Sequence, residues 1–218
     1  MAFFFPEGSR FYVSETFAAA KSITALTNAS PSVATSTTHG FVDADIALIE
    51  SGWEDASNNV FKLDQLTTDT FAILGLNATN LTFFPAGSGA SVGSPATAKL
   101  VSNWIELPQL MGVGSQGGEP RFTEVQLLAR RNAIRIPTGF TPQSWNFTLA
   151  HDPGIANYQV LLEMMRSTKP IAVRGVIGGG ALALGYGYLS VNDFPQLQPN
   201  QVNQVQGSLT IMNRLVMY

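Results

Sequence analysis

The chain reads as mainly β: a β-sandwich or barrel with one flanking α-helix, plus a small β-barrel-like module toward the front. Three observations carry that reading. Short runs that alternate apolar and polar residues recur along most of the 218 residues, and a period of two is that of a half-buried strand. Clusters of Gly, Asn, Ser and Pro separate these runs at close spacing, as in small sandwiches and barrels. One segment alone carries helical periodicity.

The first alternating run is 10–17, where Phe11, Val13 and Phe17 stand beside Ser14 and Glu15. Residues 22–27 follow with Ile23 and Leu26, and 32–38 are rich in β-branched and hydroxyl side chains. Ile46, Leu48 and Ile49 mark 45–50. Val60, Lys62 and Asp64 alternate with Phe61, Leu63 and Gln65 in 60–66, and Phe71 and Ile73 mark 70–74. Turn signals at 28–31, His39-Gly40, Ser51-Gly52 and 57–59 divide them. These strands predict a small β module over 22–86, preceded by an arm and first strand at 1–21. Residues 86–95 have linker composition, and a larger sandwich domain is expected over 87–218.

In that larger domain, strands are expected at 98–111, 121–129 and 144–150, with Gly-rich loops at 112–120 and 137–142. A helix is expected over about 153–168. Asp152 is placed to cap it and Pro153 to occupy its first position, where a missing N–H costs nothing. Ile155, Tyr158, Leu161, Leu162 and Met165 fall on one face, and Pro170 ends the pattern. Residues 171–176, 183–191 and 205–218 read as strands, with an irregular connection at 192–203.

Composition narrows the function. Charged residues make up only 12% of the chain, against roughly 25% in an ordinary soluble domain. An uncharged polar surface suits a protein buried against copies of itself, because charges are depleted from interface cores. Net charge is −3, from 15 acids and 12 bases. No basic run supplies the clustered Lys and Arg of sequence-independent nucleic-acid binding. The absence of cysteine excludes disulfides, thiolate metal sites and a Cys nucleophile. With only His39 and His151 present, an all-His metal site is excluded too. Residues 1–10 lack the apolar core of a signal peptide. Residues 176–189 fall short of a spanning helix and are interrupted by five glycines. A soluble protein made in a cytoplasm, without membrane insertion, is expected. Asn77, Asn80 and Asn146 begin Asn-x-Ser/Thr triplets, read as turn and strand residues rather than glycan sites.

The motifs that carry chemistry fail on context. Gly112 to Gly117 spells GxGxxG, but no helix N-terminus follows to receive a pyrophosphate. Gly89 to Gly93 spells GxSxG, but Pro95 denies Ser91 the helix that a nucleophile elbow needs. Asp43 and Asp45 near Glu50, and Asp64 near Asp69, lack the ligand spacing of a calcium loop. Trp53, Trp104 and Trp145 are scattered and read as core or interface anchors. No catalytic residue, metal or cofactor is expected, and the chain is not read as an enzyme.

The order of segments does carry a resemblance. Residues 23–40, followed by Ser51-Gly52-Trp53, Val60-Phe61 and 70–73, resemble a small β module common in phage tail proteins. The rest resembles the major tail tube protein of long-tailed bacteriophages. That likeness is carried by Gly117-Gly118-Glu119-Pro120-Arg121-Phe122, Arg135-Ile136-Pro137-Thr138-Gly139, His151-Asp152-Pro153 leading into the helix, and the closing strand. The resemblance implies a tail-tube-type sandwich whose copies form rings, typically of six, stacked into a tube in the virion tail. Double-stranded DNA would pass through its lumen during ejection. The implied partners are further copies of the chain, the tape measure, the tail terminator and the tail tip.

On that reading Phe3, Phe4 and Phe5, too costly to leave in water, are expected to dock into a neighbour, with cover over this subunit's own sheet as the alternative. Gly112, Gly114, Gly117 and Gly118 are candidates for contact between subunits. Glu106, Glu119 and Glu124 are candidates for acids facing the lumen, with ordinary solvation as the alternative. The competing functions are a phage surface or fibre protein that binds a host glycan, using Trp53 and its neighbours, and a ring-forming tail terminator or baseplate hub.

Overall fold

The structure is a computed structural model that describes residues 7–90 and 95–218. In chain order its strands begin with β1 (Arg10–Ser14), β2 (Thr16–Phe17), β3 (Lys21–Ile23), β4 (Ala25–Leu26), β5 (Ser32–Thr35) and β6 (Ile46–Glu50). Next come β7 (Asn59–Gln65), β8 (Thr70–Ile73), β9 (Ala96–Ser102), β10 (Ile105–Glu106), β11 (Leu110–Gln116), β12 (Pro120–Val125), β13 (Ile134–Phe140) and β14 (Ser144–Ala150). The helix α1 (Ala156–Ser167) precedes β15 (Ile171–Val176), β16 (Leu182–Val191), β17 (Gln204–Ile211) and β18 (Val216–Met217). Every named pairing is antiparallel.

The mainly β, sandwich-like fold with one helix is as the sequence predicts. Neither large sheet closes into a barrel. The main sheet runs β10-β1-β15-β16-β17-β14-β11, with β18 also on β16. The front sheet runs β2-β9-β6-β7-β8-β5-β4, with β3 also on β9. Strand β9 lies beyond the 86–95 stretch yet pairs with β2, β3 and β6, so the front sheet draws on chain from both sides of that stretch.

Alternation of side chains stacks these sheets in layers. On β15, Ile171 and Val173 face one core while Ala172 faces another. On β16, Ala183, Leu189 and Val191 face the first core, and Leu184 and Tyr186 the second. The first core is completed by Trp145, Phe147 and Leu149 of β14 and by Tyr158, Leu161 and Met164 of the helix. The second is the join between sheets, where Ile46, Leu48 and Val60 meet Ala172, Leu184 and Tyr186. A third core lies within the front sheet, around Trp53, Phe61, Phe71 and Ile73. Strands β6 and β15 are therefore covered on both faces, which explains their near-continuous apolar sequences.

Two of the expected loops are strands. Residues 112–120 contain most of β11, which pairs with β14 from Leu110↔Leu149 to Gln116↔Ser144. Glycine is a poor strand former on its own, but β14 supplies partners along β11, interrupted only by a bulge at Met111. Residues 137–142 overlap β13, whose Pro137 is tolerated because its hairpin has no further strand to bond among the described residues. The helix also starts later than expected. Asp152 Oδ1 accepts from the N–H of Gly154 at 3.1 Å, a turn closed two residues on, and the first helical residue is Ala156. Neither Asp152 nor Pro153 therefore serves as cap or first position. The helix ends at Ser167, with Thr168 in the left-handed region at φ 54°.

Candidate assembly surfaces

The two ends of the main sheet are strand edges. One is β11, which has β14 on one side and no strand on the other among the described residues. From Met111 to Gln116 it is exposed throughout. Gly112 and Gly114 carry this openness furthest, because a Cβ at either would meet nothing within 4 Å. The opposite end is β10, which pairs with β1 through Tyr12↔Glu106 and Val13↔Ile105. An unpaired strand edge is a template for another chain.

Beyond β11 the chain leaves the main sheet abruptly. Gly117 and Gly118 take φ of +85° and +79°, which suit glycine. A Cβ on Gly117 would lie 2.1 Å from the carbonyl oxygen of Pro142, so only glycine fits this crossing. Strands β12 and β13 then form a two-stranded sheet that pairs with no other strand among the described residues. Its residues are exposed almost end to end, including Phe122, Ile136, Phe140, Leu127 and Leu128. An isolated hairpin is at best marginally stable in water, and clustered exposed apolar side chains mark an interaction site. Four of the chain's 12 basic residues, Arg121, Arg130, Arg131 and Arg135, also lie here. Arg135 sits over the Phe122 ring at 5.3 Å, with its Nε 3.3 Å from Glu124 Oε1.

The expected site residues therefore fall in separate places. Gly112 and Gly114 lie on the β11 edge, and Gly117 and Gly118 at the root of the hairpin. Glu119 and Glu124 belong to the hairpin, Glu124 paired with Arg135. Glu106 lies on the opposite sheet edge, 3.9 Å from Arg10 Nε. Phe3, Phe4 and Phe5 lie outside the described residues. The exposed apolar hairpin is the surface that sequence reasoning missed. Its signal was the alternation of Arg121-Phe122-Thr123-Glu124-Val125 with Ile134-Arg135-Ile136, joined through Leu127-Leu128.

The polar interior supports architecture. The His151 ring Nδ1 is 3.0 Å from the Tyr158 hydroxyl. His39 is buried, with Nδ1 accepting from the Phe41 N–H and Nε2 3.0 Å from Thr67 O. Burial alone would raise the Glu50 carboxyl. Hydrogen bonds from Lys99 and Thr97 outweigh it and hold that carboxyl below its usual range. Burial pushes the Tyr218 phenol up to about 12. Arg174 lies between two rings, 4.5 Å from Tyr12 and 4.9 Å from Trp104. Of the GxSxG stretch, Gly89 packs on Trp53, where a Cβ would lie 2.6 Å from the ring, while Ser91 and Gly93 lie outside the described residues. Among the described residues no group of three or more His, Asp or Glu could hold a metal ion. Among them, too, no helix is long and apolar enough to cross a membrane.

No individually curated protein matches the chain. Residues 51–218 match the family described as phage tail tube protein, TTP. The match opens in the turn between β6 and β7 and takes in the whole of the β11 edge, the hairpin and the main-sheet core. With that span covered, the chain belongs to the phage tail tube protein family, and its role is structural, in the tail of the virion.

Proposed function

We propose that copies of this chain join edge to edge into hexameric rings, and that rings stack into the conduit through which DNA leaves the virion. The observation that carries this reading is the β11 edge, open along its length and continuous with an apolar hairpin that its own subunit leaves uncovered. In the ring, β11 of one copy lies against the β10–β1 edge of the next, so both edges are satisfied. The hairpin β12–β13 reaches out of this sheet to a copy in the adjacent ring. Such a contact is heterologous and does not close on itself, which lets the stack grow.

The lumen in this reading is neutral to acidic, so that phosphates are not neutralised as DNA passes. Asn146, Thr148, Gln206 and Ser208 give adjacent main-sheet strands an uncharged polar surface. Glu106, Glu119 and Glu124 are the acids proposed to face the DNA. Assembly takes place in the host cytoplasm, with the tape measure, tail terminator and tail tip as partners.

The test is electron microscopy of the concentrated protein beside a Gly112→Asp/Gly114→Asp double variant. Both positions have open space for a Cβ and ordinary backbone angles, so the variant subunit is expected to fold with an unchanged circular dichroism spectrum. Wild-type protein is expected to form hollow filaments with a regular axial repeat, and the variant none. Single rings from the wild type would point instead to a terminator or hub. Filaments from the variant would remove β11 from the interface.

A further inference from the structure

We propose that the open seam of the main sheet is a socket for residues 1–6 of a neighbouring copy, an inference that rests on the edge-to-edge ring above. The main sheet bends until Phe11 of β1 meets Trp145 of β14, edge to face at 5.7 Å. Between that contact and the β11 edge lies a groove of about 460 Å³. Its apolar wall includes Phe11, Val113, Trp145, Ile177, Leu215 and Met217, and none of the residues that line it is charged. Val113 and Met217 stand exposed in it.

The occupant follows from chemistry and position. Residues 1–6, Met-Ala-Phe-Phe-Phe-Pro, carry no charged side chain and three consecutive phenylalanines. Extended, six residues span about 20 Å, close to the roughly 23 Å of the seven-residue β11. Ser9 belongs to the groove wall, and its Oγ accepts from the Gly178 N–H at 2.9 Å. The described chain therefore begins, at Glu7, beside β1 and this wall. When the β10–β1 edge of one copy meets β11 of the next, residues 1–6 of the first arrive at the seam of the second. There they can lie in the groove beside the paired strands and place phenylalanines between Trp145 and Leu215.

Photo-crosslinking tests this. Phe4 is replaced by p-benzoylphenylalanine, a near neighbour in shape, in the full chain. Equal amounts of 14N- and 15N-labelled protein are mixed, concentrated, irradiated and digested for mass spectrometry. Links from position 4 to Met111, Leu215 or Met217 are expected, with isotopically mixed pairs making up about half, as random neighbours require. Links to the seam within single chains only, links to other surfaces, or no links would each overturn the proposal. Met217→Glu, at an exposed position of the wall, is expected to reduce the mixed links at least tenfold with the circular dichroism spectrum unchanged. Val113→Glu serves the same purpose from the opposite wall. Microscopy of the same samples keeps the two readings apart. Filaments without mixed seam links sink the socket and leave the tube, whereas mixed seam links without filaments sink the tube and leave the socket.

Discussion

Replacing Tyr218 by Phe removes one oxygen that ties two sheets together. The Tyr218 hydroxyl donates to Leu74 O at 2.7 Å and accepts from the Lys62 N–H at 3.0 Å. Both partners belong to the β7–β8 region of the front sheet, whereas β18, just before Tyr218, pairs with β16 of the main sheet. Each hydrogen bond contributes about 1 kcal/mol net, so Tyr218→Phe is expected to cost about 2 kcal/mol at pH 7. For a chain of this size that lowers the melting temperature by roughly 4–8 °C.

The same hydroxyl has a pH signature. Burial raises its folded pKa to about 12, partly offset by the Lys62 N–H, while the unfolded chain titrates near 10. The fold thus prefers the neutral phenol. The stability this contributes is complete below pH 10 and is lost as pH rises through 12. Two units correspond to at most about 2.7 kcal/mol, and residual solvent contact of the ring reduces this to about 1 kcal/mol. Burial also raises Tyr158 and Tyr186, but they titrate alike in both proteins. Melts of dilute, unassembled protein at pH 7 to 11.5 are the assay, read as the gap between wild type and variant. That gap is expected to narrow by about 1 kcal/mol across the alkaline range. Equal melting temperatures at pH 7, or a gap that stays constant with pH, would refute the reasoning.

Gly117→Ala places a methyl group against Pro142 O in a left-handed conformation. It is expected to re-aim the hairpin, at a local cost of about 1–2 kcal/mol. Filament formation should fall sharply while the near-ultraviolet signal of the core tryptophans is kept; filaments at the wild-type level would show that the hairpin angle is immaterial. Glu119→Lys tests the lumen assignment in phage carrying the variant subunit. DNA ejection is expected to slow although tails assemble, and unchanged ejection kinetics would place Glu119 away from the DNA.

Much of the architecture was legible because local signals agreed with tertiary ones. Ile46, Leu48 and Val60 announce buried strands, and Tyr158 and Leu161 announce the core face of a helix. The failures have physical causes. In β11, glycines at alternate positions erase the period of two, and only the distant β14 ladder makes the segment a strand. Asp152 and Pro153 carry every mark of a helix start, yet Asp152 closes a turn onto Gly154 instead. The front-sheet position of β9 depends on pairing with β6 and β2 across a long stretch of chain, which no local window contains. For the assembly surfaces, Gly117 and Gly118 stood out in sequence as residues of a turn. Their consequence, a hairpin that stands clear of its own subunit, did not, because exposure of Phe122 and Phe140 is a property of the whole fold.

The crossing between the two sheets has a further consequence. Strand β1 meets β10 at Val13↔Ile105, and directly beyond it β2 meets β9 at Thr16↔Ser102. The chain thus enters and leaves the front sheet along one two-stranded ribbon. In topological terms the front sheet is the loop of a very long hairpin. A descendant could lose it, or exchange it for another module, by closing Thr16 to Ser102 with a short turn and without rethreading the main sheet. The core where Ile46, Leu48 and Val60 meet Ala172, Leu184 and Tyr186, and the stitch from Tyr218 back to Lys62 and Leu74, would be the contacts to rewrite. A subunit built this way can change its front sheet while its main sheet is inherited intact.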